Sequence, residues 1–328
     1  MDQIQTLHLQ SGPSISAVLA PTFKIFTPLL LASQETIKSI AVTTHTYGTH
    51  ARHKLDIYHP RTDSPSPILI FFHGGGLIRG DKNMPLGDGG LVYANLGAFF
   101  AQRGITTLVP NYRRVNFEGG GEGAVFPSGG EDVAAVLEWV DGFMKDDGKG
   151  EGGREVYLIG NSAGGVHVST FLLGEEFAET RRRYAIRNKK WKGVVLKGVI
   201  HLAVPCHFED ADESRKKVLE TYYGDEEDIK GRCVCGLLES VRKSGKGKRE
   251  LGIPEKIYVG VGEFDPEDEI AGPVKDFEKV WKVAFGEEGL VFKVLEGHNH
   301  ISPPLALMSG DKKGEQWGED VVKWIKDA

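Results

Sequence analysis

Cysteine is scarce in this chain: Cys206, Cys233 and Cys235 are the only three in 328 residues. An odd number without a spaced framework excludes a disulfide-stapled fold and fits a reducing compartment. Cys233-Val234-Cys235 is too close and too isolated to read as a zinc site, which leaves an ordinary pair. A basic excess is missing too. Lys and Arg number 40 against 46 Asp and Glu, a net charge of −6, so nothing points to a nucleic-acid or anionic-membrane partner. No Asn-x-Ser/Thr sequon occurs, which favours an intracellular, cytoplasmic placement. Internal repeats and low-complexity arrays are also absent. The longest apolar stretch, Ile15 to Ala32, is interrupted by Pro21, Lys24 and Pro28 and follows no basic segment. Neither a secretory signal nor an integral membrane segment is expected from it. An N-terminal helical arm over residues 1–38, packed across the body or a pocket mouth, is expected instead.

What is present is concentrated in four places. Glu155 to Ile159 reads as a buried strand that runs directly into Gly160-Asn161-Ser162-Ala163-Gly164-Gly165 and then into a helix. A serine at such a turn needs a strained backbone, tolerable only where its neighbours lack bulk, and Gly160 and Gly164 supply that room. The helix behind it aims free N–H groups at the serine oxygen. A serine that merely caps a helix would share part of this pattern. Upstream, Pro67 to Phe72 is an unbroken apolar run ending in His73-Gly74-Gly75-Gly76. The run suits a strand buried on both faces, and consecutive glycines let backbone N–H groups face a ligand.

Two further strands end in candidate acids and bases. Lys256 to Val261 precedes Gly262-Glu263-Phe264-Asp265, and Leu290 to Leu295 precedes Gly297-His298-Asn299-His300. Carboxylates and histidines on loops past strand C-termini share the rim where open α/β sheets bind ligands. At this level Asp265 and Glu263 both qualify as the acid, and His298 and His300 as the base. The order along the chain, Ser then Asp then His, is that of α/β-hydrolases and not of the chymotrypsin or subtilisin folds.

The remaining elements fit one α/β domain spanning residues 1–328. Ile40 to Thr46 and Lys54 to His59 alternate as antiparallel edge strands do, while Ile105 to Val109 and Val194 to Leu202 read as inner strands. Glu131 to Phe143 carries a helical stripe with an acidic first turn, where Glu131 and Asp132 read as helix capping. Asp320 to Asp327 reads as a closing helix. Glu118 to Gly130 and Asp146 to Gly153 are glycine-rich loops, the second expected to be mobile. From about 205 to 252 composition shifts toward charge, and Arg215-Lys216-Lys217 reads with its neighbours as a solvated outer face.

On these motifs the chain resembles α/β-hydrolase esterases and lipases with an HGGG oxyanion motif, the hormone-sensitive-lipase-like and kynurenine-formamidase-like branch. The anchors are His73 to Gly76 with Gly80-Asp81-Lys82, Asn111-Tyr112-Arg113, Gly160 to Gly165, Asp265-Pro266 and His300. Leu77 departs from the aromatic residue that often follows the glycines. The resemblance implies a mostly parallel central sheet with helices on both faces and a small cap at about 205–252. It also implies Ser162 as nucleophile, Asp265 as acid and backbone N–H groups of Gly75, Gly76 and Ala163 as the oxyanion hole. His300 is the implied base, because the family's histidine follows a Glu-Gly pair after two residues. Such an enzyme is a serine carboxylester hydrolase for a small acyl or aryl ester, lactone or amide, with no cofactor and no metal. The same residues would serve an acyl-transferring or lactonising enzyme. A hydrolase-like receptor without catalysis would retain the serine but lose the histidine.

Overall fold

The computed structural model describes residues 1–62, 64–84, 89–146, 153–185 and 193–327. Its strands are β1 (Val42–Thr46), β2 (Lys54–Tyr58), β3 (Ile68–Phe72), β4 (Thr106–Pro110), β5 (Arg154–Asn161), β6 (Val194–Leu202), β7 (Lys256–Gly262) and β8 (Leu290–Leu295). They form a single eight-stranded sheet in the order β1-β2-β4-β3-β5-β6-β7-β8. The β1–β2 and β2–β4 pairs are antiparallel and every other pair is parallel. The expected fold class is therefore the observed one, and the anticipated strands lie within two residues of the observed bounds.

Among the described residues there are fourteen α-helices. The first three, α1 (Asp2–Ser11), α2 (Ile15–Ala32) and α3 (Gln34–Lys38), precede the sheet. Next come α4 (Ala94–Gln102), α5 (Ser128–Asp146), α6 (Ala163–Leu173) and α7 (Ala178–Ala185). Between β6 and β7 lie α8 (Glu213–Tyr223), α9 (Glu226–Arg232), α10 (Val234–Ser244) and α11 (Lys248–Leu251). The last are α12 (Gly272–Phe285), α13 (Ser302–Ala306) and α14 (Lys312–Lys326).

Strand residues alternate between two cores because successive side chains leave opposite faces of a sheet. Ile68, Ile70 and Phe72 join one core with Val136 and Val140 of α5, Val166 of α6 and Leu238 of α10. Leu69 and Phe71 join the other with Phe99 of α4 and Val321 of α14. This second core also receives Ile4 of α1 and Phe26 and Leu30 of α2. Both faces are covered, which is why β3 can be apolar throughout.

The prolines of the N-terminal segment do not break it. The α2 helix runs through Pro21 and Pro28 for 18 residues, burying Val18, Thr22, Phe26 and Leu30 at a spacing of four. It is the one described helix long and apolar enough to cross a membrane by length and composition. Partly buried Ile15 packs with the first core and Phe26 with the second, so the helix passes from one layer to the other.

Glycine masked two helix starts. α5 begins at Ser128, three residues before the expected Glu131, and α14 begins at Lys312, eight before Asp320. Any side chain at Gly129 would collide with the ring of His167, and one at Gly318 would press on Phe99 and Leu307. Gly129 falls within the stretch read as a loop, yet both glycines are small because neighbours approach closely. The glycine-rich stretch at Asp146 to Gly153 lies for the most part outside the described residues. Cys233 caps α10 by accepting from Gly236 N–H, and all three cysteines are free thiols.

Candidate active site

The four motifs converge because β3, β5, β7 and β8, with β6 between β5 and β7, belong to one parallel run whose C-terminal ends lie on one edge. Ser162 occupies the turn between β5 and α6 with φ 50° and ψ −121°. That strained conformation for a non-glycine residue is held by dense packing. A methyl group at Gly160 would meet the backbone of Gly165, and one at Gly164 would meet the carbonyl of Phe72. Gly165, quoted in the motif without a role, is equally constrained, because a methyl there would overlap Val204. Ser162 N–H donates to Leu202 C=O at 2.9 Å, tying the turn to β6.

His300 stands between the serine and an acid. Its Nε2 lies 2.9 Å from Ser162 Oγ and its Nδ1 lies 2.8 Å from Asp265 Oδ1. A carboxylate only accepts, so Nδ1 carries the proton and Nε2 presents its lone pair to the hydroxyl. Asp265 is buried and its second oxygen accepts from Gly262 N–H at 2.6 Å.

The two runners-up have other partners. His298 Nε2 donates to Gly314 C=O at 3.1 Å and Nδ1 meets Ser302 Oγ at 2.9 Å, so its ring serves the C-terminal helices. Full burial lowers its pKa to about 3. Glu263 accepts from Gly297 N–H at 2.6 Å, and Phe264 N–H donates to His298 C=O at 2.8 Å. These bonds lace the acid loop to the histidine loop and set the distance between Asp265 and His300.

The carbonyls of the glycine loop are taken up by neighbouring donors. Gly74 C=O accepts from His73 Nδ1 at 2.8 Å, and Gly75 C=O accepts from Arg79 N–H at 2.8 Å. In a planar trans peptide N–H and C=O point in opposite directions. The N–H groups of Gly75 and Gly76 therefore face away from those partners, and neither has an acceptor among the described residues. Ala163 N–H, at the first position of α6, also has no intrahelical acceptor. Ser162 Cβ lies 3.4 Å from where a Gly74 Cβ would stand, which puts the loop against the serine.

The outer anchors form a scaffold under this loop. Tyr112 OH donates to His73 C=O at 2.6 Å, Asn111 Nδ2 donates to Asp81 at 3.0 Å, and Lys82 N–H donates to Asn111 Oδ1 at 2.6 Å. Arg52 adds bonds to Gly80 C=O and Tyr112 C=O. No local pattern marks Arg52, since its partners are distant in sequence. Asp132 is a correction to the capping role expected of it. It is buried and receives Arg113 Nε at 2.9 Å and His53 Nε2 at 3.1 Å, bonds that hold its carboxyl below the usual range although burial works to raise it. Among the described residues no group of three or more His, Cys, Asp or Glu is placed to hold a metal ion.

A serine on a strand-to-helix turn, a histidine and an acid from later strands, and this sheet order together define an α/β-hydrolase. The BD-FAE family model matches residues 55–230, more than half of the chain, and the chain belongs to that family. A probable isoprenylcysteine α-carbonyl methylesterase of Oryza sativa subsp. japonica is 31% identical over 165 residues, 50% of this chain. That match spans only 35% of the plant protein's length. Esterase B of Lactobacillus rhamnosis superposes with a TM-score of 0.60 at 16% identity, covering 95% of this chain and 98% of that one. Brefeldin A esterase, a bacterial homologue of human hormone-sensitive lipase, gives a TM-score of 0.56 at 20% identity over 92% of this chain and 86% of its own.

Proposed function

We propose that the protein is a serine carboxylester hydrolase acting on a small acyl or aryl ester, lactone or related amide. The observation that carries this reading is His300 within hydrogen-bond reach of both Ser162 Oγ and Asp265. In the first half-reaction Ser162 Oγ attacks the substrate carbonyl while His300 Nε2 takes its proton. Asp265 holds the imidazole's orientation and stabilises its charged form without taking the proton itself. The carbonyl oxygen becomes an oxyanion facing the N–H groups of Gly75, Gly76 and Ala163, each typically worth ~10²–10³ in rate. Collapse expels the alcohol, which receives the proton from His300. Water then attacks the acyl-serine by the same steps, releasing the acid and restoring the serine.

The four helices between β6 and β7 are assigned as the cap over this site, and residues 1–38 as an arm bracing it. The arm reaches the relevant loops: Asn299 Nδ2 donates to Thr22 Oγ1 at 2.8 Å, and His8 stacks on Phe264 at 4.4 Å. The ester bond named for the plant methylesterase supports the same class of chemistry. A p-nitrophenyl ester series of graded acyl length tests the reading. Turnover is expected, highest for short acyl groups and declining with length. Preference for long-chain emulsified triglycerides contradicts it.

A further inference from the structure

The helix α8 repeats its inward face at 215, 218, 219, 222 and 223. Val218, Leu219, Tyr222 and Tyr223 are all buried in the core. Arg215 opens this face, whereas Lys216 and Lys217 are exposed and Lys216 pairs with Glu213. Arg215 therefore does not belong to the solvated charge run in which its sequence places it. It is half-buried and its Nη1 donates to Gly76 C=O at 2.6 Å, directly against the glycine loop.

Two polar groups here are incompletely satisfied. Arg215 has no carboxylate within ion-pair distance among the described residues, although Glu269 and Asp212 act on it from farther away. By contrast Arg232, which donates to Tyr223 C=O, is paired with Asp228 at 2.9 Å. Burial, the largest influence on Arg215, pushes its pKa down, the signature of a cation held away from water without a close counter-charge. The hydroxyl of Tyr223, on the same face two turns later, is buried with no hydrogen-bond partner. Phe208 joins the two, with its ring 5.6 Å from the Arg215 guanidinium and 6.0 Å from the Tyr223 ring. A half-buried cation and an orphaned hydroxyl are both costly unless something satisfies them.

We propose that Arg215 and Tyr223 form an anion-binding subsite beside the glycine loop, selecting esters that carry a free carboxylate a few bonds from the scissile carbonyl. The planar guanidinium fork matches a carboxylate's two oxygens, Tyr223 OH supplies a further donor, and Phe208 packs against the connecting atoms. Exposed Glu269 acts as a weak competitor for the cation when the site is empty. The proposal rests on the serine hydrolase reading, and its test separates the two.

The test compares kcat/KM for neutral p-nitrophenyl butyrate with two anionic esters. Mono-p-nitrophenyl glutarate carries its carboxylate on the acyl side, and 4-butyryloxybenzoate carries it on the alcohol side. Wild-type protein is expected to prefer at least one anionic ester over the neutral one. Arg215→Gln is expected to lower that anionic-to-neutral ratio by about 10–100-fold, the range for a hydrogen bond to a charged group. Arg215→Lys should recover part of it, Tyr223→Phe should lower it about 10-fold, and added salt should erode it. If Arg215 merely clamps Gly76, Arg215→Gln lowers turnover of all three esters by one common factor and the ratio stands, which overturns the subsite. A wild-type preference for the neutral ester over both anionic ones also overturns it. Should Arg215→Gln not fold, the Tyr223→Phe ratio decides. If no ester is turned over at all, it is the hydrolase reading that fails.

Discussion

At the scale of single residues, the two histidines of Gly297-His298-Asn299-His300 show how far spacing carries and where it ends. Both lie on the right loop, and the residues alone left the choice between them open. The choice becomes legible only once Gly314 is seen to occupy His298, a contact 16 residues away. As the proposed base, His300→Ala is expected to lower kcat by roughly the factor lost in Ser162→Ala, on the order of 10⁴–10⁶. His298→Ala should cost about 10-fold or less in kcat, and its main effect should be a fall in melting temperature, because it vacates a fully buried, hydrogen-bonded site. Kinetics and melting curves on the two variants check this, and a dead but normally stable His298→Ala would reverse the assignment. The elbow glycines make a second residue-scale prediction. Gly164→Ala forces a methyl group into the Phe72 carbonyl, so the variant is expected to lose several kcal/mol of stability and its activity together. An active Gly164→Ala protein melting like wild type would contradict the packing account.

At the scale of elements, the strands were readable because apolar runs and alternation report burial directly. Helix boundaries were harder where glycine serves packing, as at Gly129 of α5 and Gly318 of α14, since a glycine that admits a neighbour looks like one that frees a loop. The interior prolines of α2 do not end the helical arm expected there, because the tertiary contacts of Val18, Thr22, Phe26 and Leu30 override local propensity. Arg215 is the clearest case at the site. Its helical phase separates it from Lys216 and Lys217, but the partner that gives it meaning, Gly76, lies 139 residues upstream. The arm supplies a testable link between element and site. Thr22 Oγ1 accepts the side-chain N–H of Asn299, whose own Oδ1 accepts the N–H groups of Ile301 and Ser302 beyond His300. Thr22→Val removes that acceptor from a buried amide. A several-fold drop in kcat with little change in KM is expected, and an unaltered kcat would show that the arm does not brace the histidine loop.

At the scale of the whole molecule, four buried histidines set an acid limit. Burial holds His73, His167 and His201 at pKa values of about 4, and His298 at about 3, against an ordinary value of 6.5. Above pH 6.5 they are neutral in folded and unfolded chains alike and leave stability unchanged. Between about pH 6.5 and 4 the unfolded chain binds protons that the folded chain refuses, so stability falls as pH falls. Urea midpoints measured across this window are expected to drop steadily on acidification, and His201→Asn should flatten the slope. A midpoint independent of pH in that range would contradict the burial of these rings. The account as a whole stands or falls on Ser162 as an activated nucleophile. The most direct measurement is mass spectrometry of the protein after treatment with a fluorophosphonate. A single adduct on the peptide containing Ser162 is expected, absent from Ser162→Ala and formed far more slowly in His300→Ala. No adduct on the wild-type protein, or undiminished labelling of Ser162→Ala, would contradict it.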